Sequence, residues 1–146
     1  MFWDVLRNIK KNKRGATIVE FAFAAPVILL LTFGFFEYCM VLFTQGVLHY
    51  SAQEATRYAL VNFDSGNLDP AYLSAIKQDI KDKAKESLTL IDDSKISAID
   101  VSVIANAADQ TKTVGVNISY SYHLALPLLP QSNFTLRGSS ESFLIQ

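Results

Sequence analysis

With 146 residues, half of them hydrophobic, and a formal net charge of −1, the chain has room for one membrane segment and one domain of about a hundred residues, but not for two soluble domains. The near-neutral total hides a polarity. Residues 1–15 hold Arg7, Lys10, Lys11, Lys13 and Arg14 against Asp4 alone, a local charge of +4 that leaves −5 for the rest. A basic start beside an apolar stretch follows the positive-inside rule, which places residues 1–15 in the cytoplasm and exports the remainder. The same distribution removes the electrostatic support for nucleic acid as a partner, because the basic cluster lies against a membrane and the exported part is acidic.

From Phe21 to Phe36 there are 16 consecutive uncharged residues, and the apolar character runs on to Thr44, 24 residues in all. As a helix this stretch spans about 36 Å, enough to cross a bilayer with some tilt. A cleaved secretory signal fits poorly, since its apolar region is shorter and its small-residue cleavage site follows it, whereas Ala22-Phe23-Ala24 stands near the start of the run. Pro26 removes one helical hydrogen bond and predicts a bend near Ala22–Pro26. The single cysteine, Cys39, lies in the apolar segment, so the chain has no internal disulfide and Cys39 reads as a small hydrophobe.

Two carboxylates mark this segment. Glu20 stands at its mouth, where bringing a charge to the bilayer edge costs about 1–3 kcal/mol and calls for a function. Glu37 follows 17 residues later, about 25 Å along a helix axis, near the outer boundary of the hydrocarbon core. It either snorkels to the outer headgroups or makes a polar helix–helix contact, and Tyr38 beside it suits an interfacial anchor.

The run Gly15-Ala16-Thr17-Ile18-Val19-Glu20-Phe21 resembles the processing site of type IV-like prepilins. Taken with Pro26, Glu37-Tyr38 and the stretch Ala55-Thr56-Arg57-Tyr58-Ala59, it is most similar to the TadE family of the Flp (Tad) pilus system. That resemblance implies cleavage between Gly15 and Ala16 by a prepilin peptidase, leaving a mature chain of 131 residues with Glu20 fifth and Phe21 sixth. It also implies that Glu20 and Phe21 serve assembly and register. Helical spacing supports a partner for the carboxylate, because the new ammonium of Ala16 is four residues from Glu20 and lies on its face, in the same helix or in a neighbour displaced by one turn. The plainer reading of Glu20 is a headgroup-level carboxylate favoured by the helix dipole.

Beyond Thr44 the helical period continues: Val47, Leu48, Ser51, Ala52, Ala55, Tyr58 and Ala59 recur at three and four, with Gln53, Glu54 and Arg57 on the other side. One helix from about Ala16 to Val61 is predicted, half in lipid and half the spine of a domain. Asp69 and Pro70 read as N-cap and first residue of a second helix, with an apolar stripe of Leu73, Ile76, Ile80, Ala84 and Leu88. The period then falls to two. Ile99, Val101 and Val103, then Val114 through Leu124, then Phe134 and Leu136 predict three strands, the first two joined as a hairpin through residues 106–112. Gly138 predicts a bulge that shifts the last strand onto Phe143 and Ile145. The expected organisation is a leader over 1–15, a transmembrane helix over 16–44 and an exported α+β domain over 45–146, the pilin arrangement.

His49 and His123 lack metal-ligand spacing and read as polar positions on the helix and on an outward strand face. No nucleophile motif or phosphate loop occurs, so neither a catalytic site nor a cofactor is expected. Asn117-Ile118-Ser119 and Asn133-Phe134-Thr135 match the glycosylation triplet, a pattern common by chance. The reading is a minor pilin or pseudopilin of the inner membrane, acting in initiation or assembly of a Flp-type pilus. By the resemblance its partners are the prepilin peptidase, other pilins, the assembly platform and the lipid bilayer. The rivals are an uncleaved single-pass anchor displaying a binding domain, and a type II secretion pseudopilin, which usually begins with an aromatic or large apolar residue where this chain has Ala16.

Overall fold

The computed structural model describes residues 13–64, 66–67, 69–105, 112–124 and 132–144. Helix α1, Lys13–Asn62, runs for 50 residues without interruption, a rod about 75 Å long. It begins three residues before the expected Ala16 and remains helical through Pro26. Thr32, Thr44 and Thr56 each donate a hydroxyl to the carbonyl four residues back, at 2.8, 2.9 and 2.8 Å, which lets threonines sit within an apolar or buried helix without an orphan donor. The end of α1 is held by Tyr72, whose hydroxyl accepts the Asp64 N–H at 2.6 Å and donates to the Asn62 carbonyl at 3.3 Å.

Helix α2, Pro70–Glu86, starts as its residues dictate, with Asp69 accepting the Ala71 N–H at 3.1 Å and Pro70 in the first turn. Ile76, Ile80 and Ala84 are buried on one face, and Leu88 just beyond it, while Lys83 pairs with Glu86 at 2.8 Å on the solvated side. The chain then passes through a short 3-10 turn, Asp93–Lys95, capped by Asp92, whose carboxylate is held low by the Ser94 hydroxyl and N–H.

Three antiparallel strands follow in the order β1-β2-β3: β1 Ile96–Ala105, β2 Lys112–Leu124 and β3 Ser132–Leu144. Alternation puts Val114, Val116, Ile118 and Tyr120 of β2 inward, all buried, against Leu48, Ala52, Ala55 and Ala59 of α1. The three alanines keep the helix surface low, so rod and sheet approach closely. Packing of α1 on the domain begins at Val41 and Thr44. The result is the expected α+β fold, with one helix extending far beyond the body it supports.

One expectation is corrected. Gly138 is not a bulge: β2 and β3 pair without a register shift from Lys112 with Leu144 to Leu124 with Ser132. Leu136, Gly138 and Leu144 all face inward, and Phe143 is exposed on the opposite face. The glycine is there because α1 crosses at that point, where a Cβ would meet the Leu48 backbone. The one irregularity lies instead between Ile96 and Ala98 at the start of β1.

Candidate functional site

The features singled out by sequence fall at two places on α1. Gly15 and the backbone of Ala16 lie in its first turn; the Ala16 side chain and residues 1–12 of the leader are outside the described residues. Nothing lies within 4 Å of a Cβ built on Gly15, so this turn is sterically open. Glu20 and Phe21 follow one turn on, both exposed, and no other described element reaches them. The most apolar stretch of the helix has a mean hydropathy of 2.2 and none of it is buried within the molecule. A helix this long and apolar is able to cross a membrane, and its exposed Phe23, Leu31 and Phe35 have no protein to pack against here.

Glu37 and Tyr38 form the second place, about 25 Å along the rod from Glu20. Glu37 is half-buried, and its Oε1 accepts a hydrogen bond from the Tyr122 hydroxyl at 3.3 Å. Burial pushes the Tyr122 phenol up, and the adjacent carboxylate pushes it further, because ionising the phenol would set two negative charges together. Tyr122 also stacks against Phe134 of β3, with ring centroids 5.3 Å apart. Tyr38 points away from this contact and is 60% exposed. The two acidic sites of α1 therefore differ in kind: Glu20 is presented outward, while Glu37 is engaged by the domain.

A third set of contacts was not anticipated. The Gln45 amide donates to the Arg137 carbonyl at 2.7 Å, and His49 Nδ1 stands 3.4 Å from the Ser139 carbonyl. Gln45 Nε2 lies 3.2 Å from His49 Nε2, an arrangement in which Nδ1 carries the imidazole proton and Nε2 accepts. These side chains satisfy carbonyls on β3, the strand with no partner on its far side, so α1 covers one edge of the sheet. The sequence signal was present in the spacing of Gln45 and His49, one turn apart beside the buried Leu48, but their acceptors are backbone atoms that no side-chain pattern reveals. His123 is exposed on the outward face of β2, as expected, and bonds to Asn133. Cys39 is a free, exposed thiol on the apolar helix. Among the described residues no His, Cys, Asp or Glu cluster could hold a metal.

With an open first turn, an exposed Glu20 and an apolar rod continuous with a domain, the comparison with known families becomes informative. Residues 15–57 match the family model described as TadE-like protein. Over this segment the chain is similar to TadE-like proteins. The match runs from Gly15 to Arg57, through both acidic positions and onto the part of α1 that carries the sheet. It covers less than a third of the chain. No curated protein and no solved structure matches the chain.

Proposed function

We propose that this TadE-like protein is a minor pilin or pseudopilin, processed between Gly15 and Ala16 and held in the inner membrane with residues 1–15 cytoplasmic and residues 45–146 exported. It acts in initiation or assembly of a Flp-type pilus, with the prepilin peptidase, other pilins and the assembly platform as its partners. The observation that carries this reading is the TadE-like match, which begins at Gly15 and continues through the whole apolar helix.

Two geometric features support the assembly and processing roles. An exposed Glu20 at the start of a helical stretch that is not buried within the molecule is available to a second helix, and the ammonium released on Ala16 would lie on its face. The lone pairs and charge of that carboxylate would then be met within the membrane edge rather than left to lipid. The Gly15–Ala16 bond lies near the start of the described helix, and a residue without Cβ lets an extended backbone approach a protease cleft closely.

Gly15→Ile and Glu20→Ala separate the two steps. The first leaves only precursor, because a β-branched side chain obstructs the cleft. The second yields processed, membrane-inserted protein and few or no pili. Processing of Gly15→Ile at the normal rate, or normal piliation with Glu20→Ala, would contradict the corresponding role.

A further inference from the structure

From Tyr38 to Gln53 helix α1 carries no Asp, Glu, Lys or Arg, so no formal charge marks where lipid ends and water begins on that side. Facing the sheet, Val41 is half-buried and Thr44, Val47 and Leu48 are buried. Facing away, Met40, Leu42 and Phe43 are each at least half exposed. The exposed apolar surface of the rod therefore climbs past Glu37 alongside the domain, by about 9 Å as far as Phe43.

The sheet reaches down over the same interval. The bond from Tyr122 to Glu37 puts the end of β2 and the start of β3 at the level of Glu37, below Phe43. If lipid covers Met40, Leu42 and Phe43, the foot of the sheet is at headgroup depth; if it does not, three large apolar side chains face water next to the domain. The composition of the foot decides between these. Thr113 to Leu136 contains no Asp, Glu, Lys or Arg, whereas α2 alone holds seven between Lys77 and Glu86, and on the sheet Lys112, Arg137 and Glu141 lie just outside the charge-free stretch. At the foot itself Phe134, 37% exposed, pairs with Tyr122, an apolar ring beside a ring with a polar tip. Aromatic residues of this kind are favoured at a membrane–water interface.

We infer that the foot of the sheet, formed by Tyr122 and Phe134, sits in the headgroup layer of the leaflet on the domain's side, so that the domain contacts the bilayer at a second point beside α1. This rests on the reading of α1 as a membrane helix. A domain held at two points cannot rotate freely about the rod and presents one fixed face to its neighbours in the membrane.

The test uses the full chain reconstituted in phosphatidylcholine–phosphatidylglycerol vesicles with brominated acyl chains, and single tryptophan probes in a Trp3→Phe background. The probes are Phe23→Trp within the apolar helix, Phe134→Trp at the foot and Phe143→Trp at the opposite end of β3, with Ser132→Trp as a second foot position should Phe134→Trp fail to fold. Bromine quenching of the foot probe about threefold stronger than that of Phe143→Trp is the expected result. Quenching of Phe23→Trp with the foot no more quenched than Phe143→Trp overturns the inference while leaving the helix in the bilayer. Absence of quenching at Phe23→Trp removes the membrane reading itself, and the inference with it. A Met40→Trp probe that gains quenching only on dilution of protein in the vesicle shows that a second copy, not lipid, covers this surface, and also overturns it.

Discussion

Gly138 of β3 lies against the backbone of Leu48 in α1: a Cβ added to the glycine would stand 2.6 Å from the Leu48 carbonyl oxygen and 2.7 Å from the Leu48 Cβ. Helix and sheet meet here with no side chain between them. The neighbouring contacts, Gln45 with Arg137 and His49 with Ser139, depend on this close approach to bring short polar side chains within reach of strand carbonyls.

Gly138→Ala should therefore destabilise the protein by about 1–3 kcal/mol, because the obstacle is backbone that cannot rotate away. Gly115→Ala should cost less, since the nearest atom, at 2.8 Å, is the hydroxyl of Ser102, which can turn. Gly46→Ala, with nothing within 4 Å in a helix interior, should gain roughly 0.5–1 kcal/mol. Thermal melting of the full chain in detergent measures all three. Equal losses at positions 138 and 115 would mean that rod and sheet are not in backbone contact.

Ile118 is fully buried on the inward face of β2 and Asn117 is exposed on the other. Burying an isoleucine is worth roughly 1.5–3 kcal/mol, and an unpaired carboxylate in its place adds a desolvation cost. Ile118→Asp should unfold the domain. Asn117→Asp should cost only about 0.2–1 kcal/mol, owing to Asp100 directly across the strand pair. Circular dichroism and limited proteolysis distinguish the two, and equal tolerance would show that the inward face of β2 has been assigned wrongly.

Much of this fold is legible in the sequence because it depends on local periods. The three- and four-residue spacing from Val47 to Ala59, the Asp69-Pro70 start of α2 and the alternation in β2 each follow from one element's need to bury one face. Contacts between elements are less legible. Gly138 suggested a bulge because a strand glycine has two uses, a bend or a close approach, and only the crossing of α1 decides which applies. Tyr122 continues the inward alternation of β2, but its partner Glu37 is 85 residues away, and their meeting depends on how far along the rod the sheet is set. Gly15, Ala16, Glu20 and Phe21 are legible for another reason: their relation is to one another along one turn, and no tertiary contact is needed to define it.

The raised Tyr122 phenol makes stability sensitive to alkali. A neutral phenol favoured by the folded state contributes stability that is fully present below the unfolded tyrosine value of about 10 and is lost as pH rises through the higher folded value. Tyr122→Phe should remove that part of the alkaline decline, leaving a shallower loss above pH of about 10 than in the unmodified chain. Denaturant midpoints measured across that range compare the two, and superimposable curves would show that the phenol is not shielded beside Glu37.

Removing Gln45 should leave the Arg137 carbonyl unmet on an unpaired strand edge, at a cost of about 1 kcal/mol. Gln45→Ala combined with His49→Ala should also open the β3 edge to pairing with another copy. Increased self-association of the double variant in detergent, seen by light scattering, is the expected outcome. A double variant as stable and as dispersed as the unmodified chain would show that α1 does not protect this edge.

The most direct test of the proposed role is the mass of the amino-terminal peptide from protein purified out of native membranes, compared with protein from cells lacking the prepilin peptidase. The expected peptide begins at Ala16 in the first preparation and retains the leader through Gly15 in the second. A chain still carrying Met1 in cells with active peptidase would contradict processing and leave an uncleaved single-pass anchor in its place.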